Sequence, residues 1–307
     1  MKQDSSLSNT RRNIVLTILV AIIMFSAGAA IAQPNAAVEQ WPEVVPSYDG
    51  TPISWQRFGH GETALILIHG WSCDSRYWLE QVPILSTNYQ VITLDLAGHG
   101  HSGQDRQIYS MRSFGEDVRA VVEASGCNKV ILVGHSMGGA VIAEAARLMP
   151  DKVIGLIGVD CLDDIEYPLT KEDYAAMVAP FQQNFREALH DFVTPMLRST
   201  TEQPLREWIL NDMSAAPTRV AMSALHELMA QYISKDLANN FDHLTCPIVT
   251  VNADMAPINK EANRRHMRFY QAIVLPQTDH FLMLNQPQMF NRALQQAITL
   301  VLEHQDP

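Results

Sequence analysis

The stretch KVILVGHSMGGAVIAEAARL, Lys129 to Leu148, decides how the rest of the chain is read. Lys129 to Gly134 is an apolar run of the kind that suits a strand buried on both faces. Met137 to Leu148 reads as a helix that ends before Pro150. Between them lies Gly134-His135-Ser136-Met137-Gly138, the G-x-S-x-G pattern in the strand–turn–helix context it requires. The glycines two before and two after the serine let the chain turn sharply and pack closely. Ser136 itself is expected in a strained backbone conformation.

Outward from this turn, strands and helices alternate. Upstream are two short strands, around 43–48 and 52–58, joined by an Asp49-Gly50 hairpin turn. Then follow the apolar run Ala64 to Ile68, a helical stretch around Tyr77 to Leu85, a strand from Gln90 to Asp95 and a helix from Met111 to Ala124. Downstream come a strand from Val153 to Val159, another from Pro247 to Val251, a helix from Lys260 to Arg268, a strand from Ala272 to Leu275 and a closing helix from Gln286 to Leu302. This order predicts an α/β fold, a mostly parallel eight-stranded sheet with helices on both faces. Residues 162–243 break the alternation with amphipathic helices, roughly 171–183, 184–198, 204–213 and 217–233. They are expected to form a lid inserted between strands 6 and 7, over the carboxyl edge of the sheet where ligands bind in such folds. The core is then 33–161 and 244–307.

The composition narrows the function. The chain has 307 residues, 47% hydrophobic and 18% charged, enough apolar surface to exclude disorder. A net charge of −11 argues against nucleic acid as a partner, and four cysteines are too few for a disulfide scaffold. Residues 1–32 differ from the rest: Lys2, Arg11 and Arg12 precede an apolar run from Ile14 to Phe25, and Ala30-Ile31-Ala32 precedes Gln33. These are the parts of a secretory signal peptide, so export is expected, with residues 14–32 as an uncleaved membrane anchor the alternative. Lys2, Arg11 and Arg12 against Asp4 give this segment +2, so cleavage would leave −13. Export permits disulfides. Cys73 and Cys161 are the candidate pair, while Cys127 and Cys246 read as buried thiols beside apolar runs.

A serine hydroxyl needs an adjacent base to become a nucleophile. His280, within Gln277-Thr278-Asp279-His280-Phe281, is the only histidine between the last strand and the closing helix, and it suits the chain order serine, acid, histidine. The orienting acid is expected to be Asp254, after the Pro247–Val251 strand, because the strand following such an insertion usually supplies it. Asp160, at the end of the preceding strand with Asp163 and Asp164 close by, is the alternative acid. Two backbone N–H groups should hold the oxyanion, those of Met137 and of Trp71 in His69-Gly70-Trp71, with His69 bracing that loop.

Together His69-Gly70-Trp71, Asp95-Leu96-Ala97-Gly98-His99-Gly100-His101-Ser102, Gly134-His135-Ser136-Met137-Gly138-Gly139, Asp254 and His280 resemble the α/β-hydrolase superfamily. The resemblance is to its esterase, lactonase and peroxidase-like group with a helical lid, and it covers almost all of residues 41–305. It implies a serine hydrolase acting on a small acyl substrate, a carboxylic ester or lactone, with no cofactor and no metal. Asp95, His99 and His101 then belong to a loop that recurs in metal-free relatives. One departure is Asn252, where relatives often carry glycine, with a longer turn before the acid. Acyl transfer, amide, thioester or carbon–carbon cleavage by the same triad, or ligand binding without catalysis, are the alternatives. Met177, Met196, Met213, Met222 and Met229, with Trp208, are read as core or as an adaptable acyl pocket.

Overall fold

The computed structural model describes residues 42–305. The predicted signal or anchor segment lies outside the described residues. Among those residues, no helix is long and apolar enough to cross a membrane.

Eight strands form one sheet: β1 Glu43–Pro46, β2 Pro52–Phe58, β3 Thr63–Ile68, β4 Gln90–Leu94, β5 Lys129–His135, β6 Val153–Val159, β7 Ile248–Ala253 and β8 Tyr270–Leu275. Their order across the sheet is β1-β2-β4-β3-β5-β6-β7-β8. The β1–β2 and β2–β4 pairs are antiparallel and every later pairing is parallel. The runs Ala64–Ile68 and Val130–His135 are buried throughout, as expected of strands with both faces covered. Parallel pairing brings the carboxyl ends of β3, β5, β6, β7 and β8 to one edge.

The helices are α1 Val82–Leu85, α2 Met111–Ser125, α3 Gly138–Leu148, α4 Lys171–Gln183, α5 Phe185–Val193, α6 Gln203–Ser214, α7 Thr218–Ser234, α8 Asp236–Asp242, α9 Lys260–His266, α10 Leu282–Asn285 and α11 Pro287–Glu303. Helix α2 opens on a capping box between Ser110 and Ser113 and stops at Gly126, whose φ of 74° ends the helical run. Helices α4 to α8 lie between β6 and β7, so the inserted segment is built of helices joined by loops. The helix expected over 184–198 stops at Val193. Pro195 cannot continue an α-helix, and Thr194–Met196 tightens into a 3₁₀ turn.

A buried ionic knot ties the turn between β1 and β2 to helix α2. The Arg106 guanidinium donates to Asp117 and Asp49, while Ser47 Oγ and the Ala97 N–H also donate to Asp117. With every lone pair occupied, two buried charges can be held there without an orphan. The four cysteines are free thiols. Cys73 Sγ donates to Trp71 O and Cys161 Sγ to Gly134 O, so the candidate pair does not form.

Candidate active site

Ser136 sits between β5 and α3 with a φ of 54°. Its N–H donates to Val159 O of β6, and Gly139 N–H donates back to Ser136 O. The flanking glycines are required by space, since a Cβ on Gly134 would run into the Gly138 carbonyl. Met137 caps α3, so the serine stands at the positive end of a helix dipole. Among the described residues, Ser136 Oγ has no hydrogen-bond partner, and it faces a cavity.

His280 follows β8, and its Nδ1 lies 2.6 Å from Asp160 Oδ2. The other Asp160 oxygen accepts the Ala253 N–H at 2.6 Å. Burial alone would raise the Asp160 pKa. The imidazole hydrogen bond and charge, with the Ala253 N–H, overcome it and hold the carboxyl below its usual range. The partner of His280 is therefore Asp160 and not Asp254. Asp254 instead accepts from Arg198 Nη2 at 2.5 Å. β6 and β7 are neighbours, so both carboxylates leave the sheet at the same edge, and the insertion's arginine takes the second one away.

Nearby groups fix the base loop. His135, fully buried, has its pKa pushed down to about 3 by burial and by the neighbouring His280. The neutral ring donates from Nε2 to His280 O at 2.9 Å. Asp279 points away from the reacting groups and accepts from Thr201 Oγ1, Asn285 Nδ2 and the N–H groups of Arg198 and Phe281. The His280 N–H donates to Met196 O in the insertion at 3.1 Å. His280 Nε2 is left without a partner among the described residues.

The His69-Gly70-Trp71 loop runs directly against the serine. A Cβ on Gly70 would lie 2.7 Å from His135 Nδ1 and 3.2 Å from Ser136 Cβ, which only glycine avoids. His69 donates from Nδ1 to Gly70 O and accepts the Leu96 N–H at Nε2, bracing the loop against the strand beside it. Neither the Trp71 nor the Met137 backbone N–H has an acceptor among the described residues. The Trp71 indole donates to Ala221 O of α7 at 2.7 Å and packs edge-on to Phe181 and Phe192.

Backbone strain marks the same place. Six non-glycine residues among those described have positive φ, and Ser72, Ser136, Asp160, Leu162 and Gln277 all belong to the loops that carry these groups. Lys235, a helix cap, is the exception. Such conformations cost on the order of 1–3 kcal/mol each and persist where the surrounding structure imposes them.

Residues 65–293 match the Alpha/beta hydrolase family. The chain belongs to this family. The dihydrolipoyllysine-residue acetyltransferase component of an acetoin cleaving system from Pseudomonas putida is 41% identical over 108 residues, 35% of this chain but only 29% of that protein. A pimeloyl-[acyl-carrier protein] methyl ester esterase from Aeromonas hydrophila is 26% identical over 253 residues, 78% of this chain and 96% of its own length. A thermophilic esterase from Thermogutta terrifontis superposes with a TM-score of 0.73 at 23% identity, covering 85% of this chain and 99% of that one, a likeness of fold.

In this α/β hydrolase the cavity beside Ser136 holds about 600 Å³, with Met177, Met229, Leu228 and Tyr232 of the insertion forming part of its wall. Of the other methionines, Met213 is buried in the core and Met222 packs against it. Trp208 lies against Tyr77 and Arg76. His99 donates from Nδ1 to Ala97 O, and His101 approaches Asp95 from a solvent-exposed position.

Asp163, close to the acid in sequence but without a role assigned from pattern, lines the cavity. Burial and the adjacent Asp160 charge push its pKa up to about 6. A raised carboxyl favours the fold below the unfolded pKa, near 4, and that contribution is lost as pH rises to about 6 and beyond. Asp163→Asn is therefore expected to stabilise the protein at pH 7–8 by on the order of 1–3 kcal/mol, with the gain vanishing near pH 4. Thermal melts of both proteins across that range check this. A difference independent of pH would contradict it.

Proposed function

We propose that this α/β hydrolase cleaves carboxylic esters or lactones through an acyl-enzyme on Ser136. The observation that carries the reading is the Asp160–His280 pair set beside a serine whose backbone is held at positive φ on an elbow. Asp160 fixes the imidazole with Nδ1 protonated, leaving Nε2 as the acceptor for the serine proton. The Ser136–His280 hydrogen bond forms as substrate fills the cavity, since such contacts tighten in the substrate complex. As Ser136 attacks the acyl carbon, the carbonyl oxygen gains charge, and the free N–H groups of Trp71 and Met137 receive it. His280 then gives the proton to the leaving alkoxide. Water, deprotonated by the same nitrogen, attacks the acyl-enzyme and releases the acid and the serine.

The relatives named esterases support an ester in the substrate, and the apolar cavity supports an acyl chain lying against the insertion. The test is hydrolysis of chromogenic esters and lactones of increasing acyl length, paired with labelling by a serine-directed phosphonate. Turnover together with a label mapped to Ser136 is the expected result. An unlabelled protein without activity on any of them overturns the reading.

A further inference from the structure

The cavity wall carries three carboxylates, Asp160, Asp163 and Asp164, while no lysine, arginine or histidine is among its lining residues. Asp160 is engaged by His280 Nδ1 and by the Ala253 N–H. The other acids around the site are satisfied as well: Asp254 has Arg198, and Asp279 has four donors. Asp163 is different. One oxygen accepts from Asn252 Nδ2, and the other has neither a donor nor a cation among the described residues. Asp164 accepts from Asn259 Nδ2 at 2.9 Å and the Glu166 N–H at 3.0 Å, with no salt bridge among the described residues and with Arg265 only within electrostatic reach. An ionised carboxylate half-sunk in an apolar wall is disfavoured unless something positive meets it.

The same wall holds two tyrosines and two thioethers, Tyr167, Tyr232, Met177 and Met229. Tyr232 is half-buried and opens onto the cavity. Its hydroxyl has no hydrogen-bond partner among the described residues and lies within electrostatic reach of Asp163 and Asp164. Carboxylates without a salt-bridge partner, beside aromatic rings and polarisable sulfur, are the surroundings that hold an ammonium group, whose charge is attracted by the rings as well as by the acids. An anionic acyl or alcohol group would meet repulsion at the same wall.

We infer that the substrate is an ester or lactone bearing a positively charged nitrogen, seated against Asp163, Asp164 and the two tyrosines while its carbonyl meets Ser136. This rests on the hydrolase reading above and narrows it to a substrate class. Asp163 and Asp164 act on specificity, and neither takes part in proton transfer.

The test compares trimethylammonioethyl butyrate with its neutral tert-butyl isostere and with the corresponding sulfonate, measured by acid release. The cationic ester is expected to exceed the neutral one in kcat/KM by about tenfold, with the sulfonate slowest. In the Asp163→Asn/Asp164→Asn double variant the cation-to-neutral ratio falls to within about twofold of unity, while remote Asp151→Asn leaves the ratio as it was. A wild-type ratio at or below one, or a ratio that survives the double variant, overturns the inference while leaving the hydrolase reading intact. If no ester is turned over, titration calorimetry on Ser136→Ala decides separately. Preferential binding of the cationic ester over its isostere upholds the cationic site, and equal or absent binding overturns it.

Discussion

Ser136→Ala is expected to reduce kcat on a short-chain ester by about 10⁶-fold while leaving the melting temperature unchanged. The hydroxyl makes no hydrogen bond among the described residues, so its loss breaks no structural contact. Alanine has the same Cβ as serine and adopts the φ of 54° under the same constraints from Val159 and Gly139. What disappears is the only nucleophile the elbow presents. Residual activity then comes from the oxyanion donors and from binding alone. Steady-state hydrolysis with purified variant checks this, and retention of more than about a hundredth of the wild-type rate would remove Ser136 from the mechanism.

The second large effect separates two carboxylates. Asp160→Asn is expected to lower kcat at neutral pH by about 10⁴-fold, because an amide nitrogen facing Nδ1 reverses the tautomer and takes Nε2 out of service as a base. Asp254→Asn should alter it by less than about threefold, since it weakens a partly exposed pair with Arg198 and a backbone hydrogen bond from Gln277, neither of which reaches the imidazole. The same ester assay on both variants decides. A large loss in Asp254→Asn with a small one in Asp160→Asn would reverse the assignment made from the hydrogen bonds.

The asymmetry between these two positions explains what could be read from the chain. The elbow was legible because its signal is local: an apolar strand, a glycine-flanked serine and a helix start within twenty consecutive residues. His280 was legible from chain order. The orienting acid was not, because Asp160 and Asp254 end adjacent parallel strands and emerge at the same edge. Two things separate them, the backbone turn at Asp160, with a φ of 44°, and the capture of Asp254 by an arginine 56 residues away in the insertion. Neither leaves a mark in short-range pattern. The break at Val193 did leave one, in Pro195, and a helix drawn through that proline overran it. Asp163 was visible as a residue. Its meaning came only from its surroundings, a cavity wall with no cation opposite it.

The Trp71 indole held by Ala221 O, and the His280 N–H held by Met196 O, join two loops of the core to two different parts of one insertion. This arrangement works as an interlock. A displacement of the insertion would pull on the Trp71 loop and the His280 loop together.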